Sequence, residues 1–447
     1  MVMESASPAY VRKSFIPSQD PPVNTAGAIG WARKRLFSSL GNSILTIAAL
    51  AFIVWMLIPI IRFTILDAVW SGEDRAACAK ASGACWAYVK AYLPQFIYGR
   101  YPIAERWRVD IVFLLLAVAM VPMLIPRAPF KRLNGLFLLI VYPLIAFVLL
   151  TGGHIRFTGG WLPASIAAPS ALRFAIEFAL IGGAILLAIG AFARLTGIPV
   201  AGSGTMAGIA IAGVACVLLV VGIDFGLEPV ETANWGGLLV TLVVAGTGMV
   251  ASLPLGVLLA LGRRSAMPVV RVASVIFIEV WRGVPLITVL FMASVMLPLF
   301  LPDGVTFDKL LRALIGVALF NAAYMAETVR GGLQAVPRGQ YEAGMSIGLG
   351  YWQRMRLIVL PQALRLVIPG IVGSFISLFK DTTLVSIIGL FDFLGQIQTS
   401  ANDAKWASPV TGVTGYIFAA IVFWAFCFSM SRYAAYTERR LNRSRRR

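Results

Sequence analysis

The sequence predicts an all-α integral membrane protein of about ten transmembrane helices, and three observations predict it. Of 447 residues, 59% are hydrophobic and only 13% charged, more apolar than a water-soluble core requires. Apolar runs of about 18 residues or more recur between short polar loops, each long enough to cross roughly 30 Å of hydrocarbon as a helix. Alternating strands of roughly ten residues, the mark of a membrane barrel, are absent, so backbone groups inside the membrane must be satisfied within helices.

Residues 1–36 are polar, Pro-rich and basic, with no cleavage pattern after an apolar stretch, and read as a disordered cytoplasmic tail rather than a signal peptide. Spans are then expected at about 37–61, 110–126, 133–151, 172–192, 206–224, 237–262, 270–300, 309–332, 366–390 and 411–431. Basic residues orient them. Arg33, Lys34 and Arg35 precede the first span, Arg127, Lys131 and Arg132 join the second to the third, Arg194 follows the fourth, and Arg263 and Arg264 follow the sixth. All fall on one side if the N-terminus is cytoplasmic, and the basic tail 436–447 lands there too. The formal charge of +18 therefore reflects cytoplasmic loops rather than a nucleic-acid partner.

The outer loops are poorer in basic residues: GLEPVETANW carries two Glu, and the stretch around Asp303 and Asp308 is mixed. The long outer loop 62–109 runs against the charge rule with Arg100, Arg106 and Arg108, although so long a loop weakens that rule. Its portion YLPQFIYGRYPIAERW is aromatic enough to lie at the membrane interface, and Cys78 and Cys85 within it could pair in an oxidising compartment. Cys216 and Cys427 lie in apolar runs and read as small core residues. His154, the single histidine, has no second ligand near it for a metal.

Texture changes near Gly226. Residues 37–225 read as a five-helix membrane extension, whereas 226–435 carry intramembrane polar residues, glycines at helical spacing and prolines. Gly248, Ser252 and Gly256 at four-residue spacing make a close-packing helix face, with Pro254 a kink within it. In IEVWRGVPLI the group Glu279, Arg282, Gly283 and Pro285 favours a local break in the seventh span.

The longest polar interruption of this half is YEAGMSIGLGYWQRMRLIVLPQALR, Tyr341 to Arg365. It reads as a short helix from about Arg338 to Ile347, a glycine turn at Gly348 and Gly350, and an amphipathic helix from Tyr351 broken at Pro361. Small residues Ala343 and Gly344 allow close approach of another surface, and Gly348 permits the turn. The plainer alternative is a helix lying on the membrane, with Arg354 and Arg356 beside Met355, Leu357 and Ile358.

The spacing Glu342-Ala343-Gly344, Gly348, Ile358, Leu360, Pro361 resembles the EAA loop of bacterial ABC-importer permeases. The flanks FNAAYMAETVRGGLQAVPRGQYEAG and SLFKDTTLVSIIG resemble the polar-amino-acid permeases of the histidine, glutamate and glutamine group, over about residues 230–435. The added five spans resemble long permease subunits of general L-amino-acid importers of Gram-negative bacteria. Gly344 stands where the family usually has Ala, and Val284 where its Arg-Gly-Thr-Pro segment has Thr. The resemblance implies an ABC type I importer permease core of five helices at 226–435. Its cytoplasmic coupling loop at 338–365 would seat on an ATPase subunit.

The partners implied are two ATPase subunits, a second related permease forming a heterodimer, a periplasmic amino-acid-binding protein and membrane lipid, in the inner membrane of a bacterium. No Lys is preceded by Gly, so the phosphate-binding Gly-x-x-x-x-Gly-Lys-Ser/Thr loop is absent, and ATP and Mg would be bound by the partner ATPase with no cofactor held by this chain. No catalytic set is visible either, so the chain reads as a transport subunit and not an enzyme.

Intramembrane polar groups are candidates for the substrate path because their burial is costly. Asn321, Tyr324 and Glu327 share one face of the eighth span, with Arg330 following. Lys380, Asp381, Thr382 and Thr383 stand in the ninth, and Arg282 in the seventh. Two such helices could offer a cation for a substrate carboxylate and an anion for its ammonium, or the charges could be structural pairs. The rival functions are a non-transporting membrane scaffold and a secondary transporter, although the inverted repeat of the latter is not evident.

Overall fold

A computed structural model describes residues 27–125, 128–153, 162, 170–196, 203–300 and 308–443. Arg127, His154, Asp303 and the outermost tails lie outside the described residues. Among these residues every regular element is helical.

A first compact unit holds α1 (Gly27–Arg35) and α2 (Leu40–Ile61). Helix α1 occupies the end of the stretch expected to be disordered. Ala28 and Ala32 favour helix, and Arg33, Lys34 and Arg35 stand in its last turn, where cations complement the helix dipole. Ser39 caps α2 by accepting from the Asn42 N–H at 3.2 Å. Helix α2 buries none of its residues, Trp55 being 71% exposed, as expected of a helix whose solvent is lipid.

The second unit runs over Trp70–Lys80 and Cys85–Arg447. It opens with α3 (Arg75–Ala79) and α4 (Trp86–Tyr98), then α5 (Arg106–Leu124), α6 (Lys131–Leu136), α7 (Tyr142–Thr151), α8 (Ser170–Thr196) and α9 (Ser203–Gly222). Next come α10 (Gly237–Arg263), α11 (Pro268–Gly283), α12 (Leu286–Phe291), α13 (Lys309–Ala335), α14 (Arg338–Ser346) and α15 (Tyr351–Arg354). Helices α16 (Leu360–Asp381), α17 (Phe393–Ala401) and α18 (Thr411–Arg443) complete it.

Among the described residues seven helices are long and apolar enough to cross a membrane, and a bent pair, Pro268–Gly283 with Leu286–Phe300, makes an eighth if counted as one span. Helices α8 and α9 stand where the fourth and fifth spans are expected. The bend of that pair is 102°, at the Gly283–Pro285 break the sequence favours.

Helix α13 is the axle of the core, with 61% of its most apolar window buried. Its principal neighbour is α10. The seam between them is set by the small residues anticipated above: a Cβ on Gly256 would lie 2.6 Å from the Met325 Cβ, one on Gly248 3.2 Å from Val317 Cγ1, and Ser252 between them is buried. Backbones approach because there is no side chain in the way.

One expectation is corrected. Pro361 does not break its helix: α15 runs through a π turn, Met355–Val359, into α16, giving one continuous element, Tyr351–Ile388. The Leu360 N–H bonds to the Met355 carbonyl, one residue further back than in an α-helix, so the register has already shifted when Pro361 arrives without an N–H. Part of the long loop, with Phe96 and Tyr101 of its aromatic stretch, packs into the bundle. Tyr88, Phe96 and Tyr101 are buried in the bundle. Tyr88 shares a 2.6 Å hydrogen bond with Ser400, the Cys85 N–H donates to Thr414 Oγ1 at 2.9 Å, and Gly237 leaves room for the Phe96 carbonyl. Cys78 and Cys85 are joined as a disulfide, with Cα atoms 5.9 Å apart, just before α4 begins.

Candidate functional site

The loop between α13 and α16 is a helix–turn–helix. Helix α14 ends in a turn where Gly348 adopts φ +77°, the left-handed conformation that costs L side chains most. Nothing lies within 4 Å of where its Cβ would be, so the requirement is conformational and not spatial. Gly344 differs. It is buried, and a Cβ there would sit 2.9 Å from Arg354 Cγ and Cδ and 3.3 Å from Ile358 Cδ1. Its smallness lets α14 fold down on Arg354 and on the π turn that follows it.

The opposite face of α14 is open. Glu342 and Ala343 are exposed, as are Met345 at 53%, Ile347 at 70% and, after the turn, Trp352 at 68%. Leu360 and Ile358 are half-buried and Pro361 is exposed at the loop's exit. A carboxylate thus stands beside large apolar side chains left exposed on a short helix and the turn after it.

Polar bonds tie α14 inward. Tyr341 Oη donates to the Leu333 carbonyl at 2.9 Å and accepts from Arg264 Nη1 at 3.0 Å, while Gln362 donates to Gln340 at 3.0 Å. Arg264 and Tyr341 were visible in the sequence only as a topology marker and as the first residue of the loop; nothing in local pattern joins positions so far apart.

Deeper along the same end, Glu327 is a hub. Its carboxylate accepts from Arg263 of α10 at 2.8 Å and from Arg330 at 2.7 Å, with Arg282 of α11 at 3.8 Å. Arg263 also pairs with Glu279 at 2.9 Å. Three arginines and two glutamates thus gather where α10, α11 and α13 meet. Arg282 lies over the ring of Tyr324, 5.6 Å from its centroid, beside the α11–α12 break.

The other candidates are not drawn into this group. Asn321 is buried and donates to the Val317 carbonyl of its own helix. Thr382 and Thr383 donate to Phe379 and Lys380 carbonyls, each within a turn. Lys380 is exposed, and neither it nor Asp381 joins an ion pair among the described residues. Gly370 faces Thr328, next to Glu327, and Lys380 is ten residues beyond Gly370. At 1.5 Å per residue that places it about 15 Å further along the bundle. Within one chain, Glu327 and Lys380 do not converge on one amino acid.

At the far end of the bundle Asp392, fully buried, caps α17 by accepting from the N–H groups of Leu394 and Gly395 at 3.2 and 3.0 Å. Burial pushes its carboxyl up to about 6, against these backbone bonds, which favour the charged form.

A helical bundle with a broken span, a charged hub within it and an exposed short helix between two spans defines the class, a multi-span membrane protein. Residues 252–443 match the family model for the binding-protein-dependent transport system inner membrane component. The inner membrane amino-acid ABC transporter permease protein YhdY of Escherichia coli is 44% identical over 423 residues, covering 94% of this chain and 95% of its own. The glutamate/glutamine/aspartate/asparagine transport system permease protein BztC of Rhodobacter capsulatus is 42% identical, covering 98% and 99%. A crystal structure of an amino acid ABC transporter with histidines is 28% identical over 46% of this chain and 92% of its own, with a TM-score of 0.41. The chain belongs to the amino-acid ABC transporter permeases, the family that the Glu342–Pro361 spacing resembles.

Proposed function

We propose that this permease is the membrane subunit of an ATP-driven importer of polar L-amino acids, working by alternating access in the inner membrane of a bacterium with both termini in the cytoplasm. The observation that carries the reading is the exposed face of α14 and the turn after it, where Glu342 stands among Met345, Ile347 and Trp352 with no covering face among the described residues. Its occupant is a groove on a separate ATPase subunit, which binds ATP and Mg. Two such subunits serve two permeases, and this chain pairs with a second, related permease and receives substrate from a periplasmic amino-acid-binding protein.

Glutamate, glutamine, aspartate and asparagine are the substrates, alone or within a broader set. Two relatives similar over nearly the full chain support this, one an amino-acid permease and the other a permease of these four. Glu342, Ala343, Gly344, Gly348, Ile358, Leu360 and Pro361 form the coupling loop. Arg282, Tyr324 and Glu327 border the path at the loop end, and Asn321, Lys380, Asp381, Thr382 and Thr383 higher up. Receptor and ATP each shift the transporter only through preference for one state.

The test is uptake of labelled glutamate and glutamine into vesicles holding the complex purified on this chain. ATP inside the compartment bearing the ATPase should drive uptake in the absence of ion gradients. Uptake that follows an ion gradient and ignores ATP would make the protein a secondary transporter, and a chain that purifies alone and moves nothing would make it a scaffold.

A further inference from the structure

Three polar groups close a triangle at the root of α14. Tyr341 Oη donates to the Leu333 carbonyl at 2.9 Å, Arg264 Nη1 donates to the same carbonyl at 3.1 Å, and Arg264 Nη1 donates to Tyr341 Oη at 3.0 Å. The Arg264 guanidinium also covers the Tyr341 ring, 5.5 Å from its centroid. Leu333 lies in the last turn of α13, where carbonyls have no partner within the helix, so two side chains from elsewhere complete it. Arg264 is the residue that ends α10, and its neighbour Arg263 is held by Glu327. One contact therefore ties the docking helix to both members of the central helix pair and, one residue on, to the charged hub.

Apolar packing and the triangle act side by side. Tyr341 packs against the buried cluster that includes Leu261, Leu333, Val336 and Met355. A half-open pocket of about 180 Å³ lies beside it, lined by Leu261, Arg264, Leu333, Tyr341, Arg354 and Met355, among others. Replacing Tyr341 by Phe keeps that packing and removes only the hydrogen bonds of the hydroxyl.

We propose that Tyr341 and Arg264 are positioning residues for transport, a joint through which movement of α14 reaches the ends of α10 and α13. The proposal rests on the importer reading above. With the joint intact, a push on α14 moves the helix ends and the hub together. With the joint cut, α14 can follow its partner while the membrane helices stay behind, and the work of the ATPase is lost.

The experiment uses the complete complex in lipid vesicles, with Tyr341→Phe and, separately, Arg264→Lys in this chain. Phe keeps the ring and removes the donor; Lys keeps the charge and removes the planar fork. The readout is amino acid imported per ATP hydrolysed, a ratio that a smaller folded fraction leaves unmoved. Each variant should lower it at least roughly five-fold, the low end of ordinary coupling between sites. The double variant should fall no further, because both changes cut one link. A wild-type ratio in both single variants overturns the joint. So does loss of the ATPase from both on purification, which makes the contact a support for docking alone. If the wild-type complex itself neither imports nor responds to ATP, the importer reading fails first and the joint with it.

Discussion

Glu327 accepts a 2.8 Å hydrogen bond from Arg263 across the α10–α13 seam, so the carboxylate expected to face a substrate is already engaged by a neighbouring helix. It is 16% exposed and answers to three arginines. Glu327→Gln leaves that positive group without its central anion and should lower stability by about 2 kcal/mol, the cost of breaking a buried pair discounted for partial exposure. Lys380→Met, at an exposed residue outside any ion pair, should not. Thermal unfolding of the two variants in one detergent separates them; equal stability would return Glu327 to a purely functional role.

Gly256→Ala is expected to be costly although Ala is the better helix former. Its methyl would stand 2.6 Å from Met325 Cβ and 3.0 Å from the Ala326 nitrogen, neither of which is the end of a flexible side chain. A loss of about 2 kcal/mol from overpacking is expected. Gly246→Ala in the same helix meets nothing within 4 Å and serves as the control in the same melting experiment.

In the coupling loop the two glycines should part company. Gly344→Ala needs only a small shift of the Arg354 side chain and should retain uptake. Gly348→Val forces a β-branched residue to φ +77° and should leave the chain inserted while abolishing transport and loosening the ATPase. Co-purification and uptake are the measurements, and normal uptake in Gly348→Val would count against the docking account.

Asp392 gives a pH dependence. Its carboxyl is raised in the fold to about 6, so the fold binds this proton more tightly than the unfolded chain does. The associated stability is fully present below the ordinary carboxylate range and is lost as pH rises through about 6. Going from about pH 5 to about pH 7.5 should cost roughly 1 kcal/mol. Asp392→Asn keeps a cap for α17 and should flatten that slope in a pH series of melting curves.

Phe96→Ala tests whether α4 is structurally part of the core. Phe96 is fully buried against Tyr88, Phe393 and Phe418. Removing its ring should cost about 3 kcal/mol. A variant as stable as the parent would leave α4 a passenger.

Much of this was legible in the sequence because its cause is local. Apolar run length marks a span, Gly283 and Pro285 mark a break, Gly348 marks a left-handed turn, and Gly248 with Gly256 marks a close seam. What escaped was set by partners distant in sequence. No periodicity announces that Tyr88 meets Ser400, that Tyr341 meets Arg264 or that Arg263 closes on Glu327. Pro361 misled for a different reason: its usual effect is real, but a π turn just before it absorbs the missing donor. The close approach expected at Gly344 is made to Arg354 and Ile358 of the same loop.

The seat of α4 bears on how the molecule is made. Cys85 and its bonding partner Thr414 are separated by 329 positions, and Tyr88 and Ser400 by 312. At roughly 5–20 residues per second a ribosome needs about half a minute to supply the second member of each pair. Until then Tyr88 and Phe96 wait without Ser400, Phe393 and Phe418, and this end of the bundle closes only when synthesis is nearly complete. A helix made early, within the first hundred residues, is thereby among the last to find its place.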